Sequence, residues 1–209
     1  VEIMQLVKQG VLILDESIER FFPTYIHASK ITIHHLLSNT SGVANFEIYG
    51  EYSDLYKNED FYASFIKEVI YHFELRFEPV TKFEYSGSGY LMLTSIIEKA
   101  SKMPYDVYLT KHIFGPLEMN DSGFDFGTNE IQQMAIPYDV LDGEYVDAIE
   151  IDLRLGGGGG GLYSTVFDMH KWNMSLLNHT LLPQEYIDLL TISNFCVTSL
   201  KIGVDFSSS

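Results

Sequence analysis

A serine and a lysine three positions apart are the first residues in this chain whose types and spacing could do chemistry. Ser64 and Lys67 would share one face of a helix, where a lysine amine can take the proton of a serine hydroxyl and activate it as a nucleophile. With the serine and lysine content of this chain, about one such pair is expected by chance, and chance is the alternative for any short motif. The pair alone therefore does not identify an active site.

Two other groups of residues with ligand-binding potential are better explained by local structure. His34 and His35 fall in the opening turn of a predicted helix, without a further histidine or carboxylate at ligand spacing, so we expect solvent exposure or local capping. Glycines 156–161 precede a predicted helix but lack the Gly-Lys-Ser/Thr ending of a phosphate-binding loop. We expect neither a metal site nor a cofactor.

The elements that must position any site are mostly helices, as the spacing of apolar residues and capping residues indicates. In the first part of the chain we predict a helix that ends near Gly10, a short helix capped by Asp15, and a helix capped by Thr32 that runs through Leu37. A helix over residues 59–72, a long helix after Tyr90 and a helix that ends before Gly115-Pro116 follow. The last predicted helix is capped by Ser164 or Thr165, and its residues Met169, Trp172 and Leu176 face the core. The turn residues Asp142-Gly143 and the alternation after them predict a hairpin or an extended loop. We therefore expect a predominantly helical structure with few strands.

Five strings stand in one order along the chain. They are Ile3–Val7 with Gly10 and Leu14-Asp15, Ile31–Gly42 (ITIHHLLSNTSG), Phe77–Tyr90 (FEPVTKFEYSGSGY), Ile113–Phe124 (IFGPLEMNDSGF), and Gly161–Thr165 followed by Asp168. In this order and spacing they resemble the β-lactamase-related serine hydrolases, a family that includes class C β-lactamases, penicillin-binding proteins, D-alanyl-D-alanine peptidases and certain esterases. Five strings in one order are hard to produce by chance.

The resemblance implies an α+β fold of the β-lactamase and DD-peptidase type, in which a helical lobe packs on an antiparallel sheet. Because the family's domain is longer than 209 residues, we expect an interior fragment in which the helical lobe dominates and the sheet is incomplete. We assign residues 1–209 to one partial domain, with 31–182 as its best-supported core. Residues 203–209 are expected to form a loose tail.

The resemblance also assigns candidate roles in catalysis. It places the family's catalytic Ser-x-x-Lys before Val1 rather than at Ser64, and it matches Tyr85 to a general base or proton shuttle with Ser86 in support. A free phenol, with a reference pKa of about 10, is a poor base at neutral pH unless cations assist it. The alternatives are that Tyr85 packs in the core and that Ser86 caps a helix. Lys201-Ile-Gly203 is a weak match to the family's last motif.

Gly87 is the main departure from the family, because the penicillin-recognising members usually have asparagine at this position. Glycine lacks the donor and the acceptor that an asparagine amide offers to a substrate. This favours an esterase-like or otherwise diverged hydrolase that acts through an acyl-enzyme on an ester, amide or β-lactam bond. The alternative is a non-catalytic binding module or a truncated inactive homologue.

Composition limits the partners. The chain has 13 basic and 29 acidic residues, a net charge of −16, which repels phosphate backbones, so nucleic acid is not expected. A single cysteine, Cys196, excludes an internal disulfide, and no apolar run reaches the about 20 residues of a membrane span. We expect a small-molecule or peptidoglycan-like substrate, and the resemblance favours an extracytoplasmic or cell-envelope location.

Overall fold

The computed structural model describes residues 1–46, 61–125, 131–148 and 153–191. In chain order the helices are α1 (Glu2–Lys8), α2 (Ile33–Leu37), α3 (Phe61–Glu68), α4 (Gly87–Ser101), α5 (Tyr105–Leu109), α6 (Val166–Leu177) and α7 (Gln184–Thr191). Short 3₁₀ turns lie at Ile18–Arg20, Ala28–Lys30, Ile70–His72 and Leu153–Gly159, and a π-helical turn over Thr110–Phe114 continues α5. The strands are β1 (Gly123–Phe124), β2 (Tyr138–Leu141), β3 (Glu144–Asp147) and β4 (Leu162–Tyr163).

Within these ranges the strands form two antiparallel pairs, β1 with β4 and β2 with β3. The predicted hairpin is confirmed, because β2 and β3 are joined by Asp142-Gly143 alone. Both residues have positive φ, 53° and 87°, as the two-residue turns that match the twist of a hairpin require. The described structure is thus an α+β fold in which helices dominate and the sheet is small, as the resemblance implied.

Helix α4 lies at the centre of the core. Leu91, Met92 and Ile96 on this helix are fully buried, and α1, α2, α3, α5 and the turn Leu153–Gly159 all pack against it. Removal of this apolar surface from water is the main stabilising contribution to such a core. None of the helices in the described part of the chain is both long enough and apolar enough to cross a membrane.

Part of the glycine run packs closely on α4. A Cβ at Gly157, which has a φ of 44°, would lie 2.8 Å from a methyl carbon of Leu91. The neighbouring N–H of Gly158 donates a hydrogen bond to Thr94 Oγ1 at 2.7 Å. A side chain at Gly157 would push this turn away from the helix.

Two predicted helix caps are confirmed. Thr32 Oγ1 accepts a hydrogen bond from the His35 N–H, and His35 Nδ1 accepts one from the Thr32 N–H, both at 3.2 Å. This reciprocal capping box gives His35 the local role that the sequence predicted. At the start of α6, Thr165 Oγ1 accepts a hydrogen bond from the Asp168 N–H at 3.3 Å.

The predicted cap at Asp15 is wrong. The helical turn begins at Ile18, and Ser17 caps it by accepting a hydrogen bond from the Glu19 N–H at 3.1 Å. The Ser17 hydroxyl also donates to the Ala28 carbonyl at 3.0 Å. This contact with the next turn fixes the cap two residues later than local sequence indicated.

The predicted core face of α6 is confirmed only in part. Trp172 is half-buried and packs against the hydrophobic core, but Met169 is 44% exposed and Leu176 is only half-buried. The buried residues of this helix are polar, Asp168 and Ser175. A carboxylate with several hydrogen-bond donors therefore anchors α6 together with Trp172.

Gly42 occupies a position where a side chain does not fit. Its φ is 76°, and a Cβ there would overlap the carbonyl oxygen of Phe77. We expect Gly42→Ala to lower the free energy of unfolding by about 2 kcal/mol or more, because the left-handed backbone and the displaced carbonyl both cost energy. Urea denaturation measures the change.

Gly10→Ala is the matched control for this prediction. Gly10 has a φ of 72°, but the space that a Cβ would fill is open, with no contact within 4 Å beyond its neighbours in the chain. This variant should therefore lose only the smaller backbone contribution, about 1 kcal/mol. Equal losses in the two variants would contradict the steric explanation for Gly42.

Candidate active site

The predicted site lies where two segments are joined by hydrogen bonds. We call residues 39–46 the asparagine loop and residues 76–88 the tyrosine segment. The backbone bonds between them run from Arg76 N–H to Gly42 O at 2.8 Å, from Val80 N–H to Thr40 O at 2.8 Å, and from Glu84 N–H to Asn39 O at 3.0 Å. They fix the tyrosine segment along the loop up to the residue before Tyr85.

Asn39 holds both neighbours of Tyr85. Its carbonyl oxygen accepts the bond from the Glu84 N–H, and its side-chain Oδ1 accepts one from the Ser86 N–H at 3.0 Å. Its φ is 54°, a conformation that asparagine tolerates better than most residues, especially just after a helix. The sequence interpretation missed this positioning residue, although an asparagine directly after the α2 cap was an available signal.

Tyr85 itself is 60% exposed. The alternative that it packs in the core is therefore wrong. Its hydroxyl lies 3.9 Å from the point that a Cβ at Gly87 would occupy, which puts the phenol beside the first turn of α4.

Ser86 is only 2% exposed and is the N-cap of α4. Its Oγ accepts a hydrogen bond from the Gly89 N–H at 3.1 Å, which satisfies one of the backbone donors left free at a helix start. The observed contact supports the capping alternative, and a role for Ser86 in proton transfer stays a prediction.

Gly87 is the first residue of α4, and its N–H donates to Asn45 Oδ1 at 2.7 Å. A Cβ at position 87 would lie 3.0 Å from the same oxygen. The asparagine side chain thus stands against the face of Gly87 where a side chain would begin. Two residues 42 positions apart meet here, which sequence spacing could not indicate.

A second tyrosine nearby serves the structure. Burial, with a further contribution from Tyr85, raises the pKa of Tyr90, so this phenol stays protonated. Its hydroxyl donates to the Leu37 carbonyl at 3.2 Å and ties α4 to the end of α2. Tyr85 is therefore the exposed phenol of this region.

In the described part of the chain, no hydrogen bond or ion pair joins Ser64 or Lys67 to Tyr85. Ser64 is half-buried in α3, whereas the Lys67 side chain is 70% exposed, with its Nζ 3.8 Å from a Glu68 carboxylate oxygen. Because the Lys67 amine faces solvent and a carboxylate, it is poorly placed to activate Ser64. Lys201-Ile-Gly203 lies outside the described residues, as does the predicted tail. Among the described residues, no three His, Cys, Asp or Glu side chains are grouped to hold a metal ion.

A buried carboxylate joins α6 to the segment before β1. Asp168 is fully buried, and its oxygens accept hydrogen bonds from the Asp121 N–H at 2.8 Å, Ser122 Oγ at 2.9 Å and Lys171 Nζ at 2.7 Å. Burial raises the pKa of such a carboxyl, but these donors outweigh it and leave the pKa of Asp168 below its usual value. Lys171 also donates to the carbonyl of Glu118, which has a φ of 56°, in the left-handed region that favours glycine.

Solved structures share this architecture. A penicillin-binding protein from Bacillus halodurans is 28% identical, with a TM-score of 0.76 over 93% of this chain and 62% of that one. A D-amino acid amidase from Ochrobactrum anthropi SV3, complexed with L-phenylalanine amide, is 27% identical, with a TM-score of 0.74 over 89% of this chain and 56% of that one.

Curated relatives agree with the structural neighbours. The Bacillus subtilis (strain 168) protein named "Putative penicillin-binding protein PbpX" is 27% identical over 187 residues, which are 88% of this chain and 44% of that protein. Penicillin-binding protein 4* of the same strain is 32% identical over 124 residues, 57% of this chain and 27% of that protein. The chain thus spans less than half the length of these relatives. The sequence model of the family described as Beta-lactamase matches residues 1–195, and the chain belongs to that family.

Proposed function

We propose that this chain contributes the tyrosine-bearing part of a serine hydrolase that acts through an acyl-enzyme on an ester, amide or β-lactam bond. The observation that carries the proposal is the exposed hydroxyl of Tyr85, held at the head of α4 by the bonds that Asn39 makes to both of its neighbours. A positioned and accessible phenol can transfer a proton between a nucleophile and a leaving group. Membership of the β-lactamase family supports a hydrolase of the serine type.

The helix that follows Tyr85 adds an electrostatic contribution. Helix α4 has 15 residues, and the aligned peptide dipoles of such a helix place a partial positive charge at its N-terminus. Tyr85 stands at this end. Negative charge that develops on the phenol or on a nearby substrate oxygen would be stabilised there.

The proposed nucleophile is a serine carried ahead of α1 in a longer parent protein. The start of α1 and the part of α4 from Tyr90 to Ile97 face one cavity of about 410 Å³, whose lining includes Val1, Ser38 and Tyr90. An N-terminal continuation of α1 would therefore begin beside α4. This supports, within the proposal, a Ser-x-x-Lys motif beside the helix that Tyr85 precedes.

The relatives indicate the substrate class within this proposal. Three are named as penicillin-binding proteins and one as a D-amino acid amidase, so we propose a peptide-like amide or β-lactam carbonyl, with a simple ester as the other candidate. A cell-envelope or extracytoplasmic location is proposed on the same basis.

The isolated chain is expected to form no covalent adduct with a fluorescent penicillin and to leave p-nitrophenyl acetate hydrolysis at background, because loss of the nucleophile removes most of a catalytic unit's rate enhancement. Intact-mass measurement detects the adduct. A longer parent with a Ser-x-x-Lys motif before Val1 should acylate, and should stop acylating when that serine is changed to alanine.

Ser64→Ala is the internal control. An adduct on the isolated chain that disappears in Ser64→Ala would show that the nucleophile is misplaced here. A parent that neither acylates nor turns over ester or amide substrates would refute the hydrolase and favour the non-catalytic binding module.

A further inference from the structure

We infer that Asn45 is a substrate-contacting residue of the Tyr85 site, and that its side-chain amide supplies the hydrogen-bond donor which Gly87 cannot. This inference rests on the proposed function. It starts from a contact between the asparagine loop and α4, the 2.7 Å bond from the Gly87 N–H to Asn45 Oδ1.

That bond fixes which way the amide of Asn45 is turned. A backbone N–H can only donate, so the atom facing it must be the acceptor oxygen and not the nitrogen. The Nδ2 group, with its two donors, is therefore directed away from Gly87. Among the described residues Nδ2 has no hydrogen-bond partner, and Asn45 is exposed, so the donors are accessible to a ligand.

The side-chain amide of Asn45 and the phenol of Tyr85 both lie close to the point that a Cβ at residue 87 would occupy. Asn45 Oδ1 lies 3.0 Å and the Tyr85 hydroxyl 3.9 Å from the position of a Cβ at residue 87. The exposed side chain of Asn45 and the exposed phenol of Tyr85 therefore stand together at the positive end of α4. A substrate whose scissile bond approaches Tyr85 would bring a neighbouring carbonyl oxygen to the Asn45 amide.

This geometry favours substrates that carry a second carbonyl group, in addition to the carbonyl of the bond that breaks. Acylated amino compounds and penicillins carry an amide carbonyl close to the bond that breaks, whereas p-nitrophenyl acetate does not. A site that hydrogen-bonds a substrate group discriminates against analogues that lack a partner for it. Asn45 thus favours amide and β-lactam substrates, against the esterase preference that Gly87 alone suggested.

The competing explanation is that Asn45 only satisfies the free N–H at the start of α4. Aspartate separates the two roles, since it keeps the acceptor for Gly87 and suits a helix N-terminus but removes the donor. In the full-length parent we expect Asn45→Asp to keep the melting temperature and to slow acylation by a fluorescent penicillin about 10- to 100-fold, the usual effect of one lost bond to a substrate. Turnover of p-nitrophenyl acetate should fall less than penicillin acylation, because this ester has no second carbonyl for the lost donor.

Two further variants sharpen this test. Asn173→Asp places the same added charge on the exposed face of α6 and should leave both rates unchanged. Gly87→Asn alone should disturb the site, because its Cβ would lie 3.0 Å from Asn45 Oδ1. In Asn45→Ala/Gly87→Asn that space is free, and penicillin acylation should recover at least about threefold relative to Asn45→Ala.

The following results would overturn the role of Asn45 or the proposed function. Penicillin acylation at the parent's rate in Asn45→Asp, or an equal loss on both substrates, would overturn the role of Asn45 while the hydrolase proposal stands. A lack of recovery in the double variant would assign the loss to backbone support and also overturn it. A parent inactive on both substrates refutes the proposed function first, and the role of Asn45 with it.

Discussion

Tyr85→Phe in the full-length parent should lower turnover by about 10²- to 10⁴-fold, the contribution that general acid-base catalysis typically makes. The change removes only the hydroxyl. Because the side chain is 60% exposed, the hydroxyl makes little contribution to packing, and the melting temperature should not change. Steady-state rates on an ester and on an amide measure the effect, which should appear on both.

Tyr145→Phe is the matched control, because Tyr145 is 75% exposed and lies on the β2–β3 hairpin. It should retain full activity. If Tyr85→Phe also retains more than about half of the parent's turnover at an unchanged melting temperature, Tyr85 has no part in proton transfer and the assignment fails.

Asp168→Asn should lower the free energy of unfolding by about 2–3 kcal/mol at neutral pH, because hydrogen bonds to a buried charged group contribute about 1.5–3 kcal/mol, whereas the ion pair itself is screened at Lys171, whose side chain is 40% exposed. The amide keeps the shape of the carboxylate but turns a donor toward one of the groups that now donate to it, Asp121, Ser122 or Lys171. Urea denaturation measures the loss. Asp139→Asn, at an exposed position in β2, should lose almost nothing.

The carboxyl group of Asp168 also predicts how the free energy of unfolding responds to acid. Its pKa in the folded chain lies below the ordinary value of 3.8 for an aspartate, so its stabilising contribution is fully present above about pH 4 to 5 and is lost as pH falls through the folded pKa. The stability difference between the unchanged chain and Asp168→Asn should therefore shrink on acidification below about pH 4. A difference that stays constant from about pH 7 to pH 3 would contradict this explanation.

Features set by neighbours in the chain were predictable. The reciprocal bonds of Thr32 and His35 and the hairpin turn at Asp142-Gly143 involve residues within three positions of one another. Their energies depend on local backbone conformation and on side chains of the right length. The long helix after Tyr90 was likewise predicted from apolar residues at helical spacing. The structure buries more of it than that stripe, because every residue from Leu91 to Ile97 is buried.

The α6 prediction failed at Met169 for the opposite reason, while Trp172 does pack against the core. Apolar periodicity placed Met169, Trp172 and Leu176 inside, but the hydrogen bonds that hold Asp168 come largely from residues 46 and 47 positions earlier. The structure buries Asp168 among these donors and leaves Met169, the next residue, exposed. Hydrophobic pattern could not anticipate a buried charge whose stabilisation comes from so far along the chain.

By itself the sequence determined the family resemblance, the helical character and the identity of Tyr85 as the proton-transfer candidate, because motif order and local periodicity are written in consecutive residues. Tertiary structure alone decided that Tyr85 is exposed, that Ser86 is buried as a helix cap, and that Asn45 meets Gly87 across 42 positions. Exposure and long-range hydrogen bonds depend on how separate segments pack, and loop closure brings such segments together only when the folded core compensates its entropic cost.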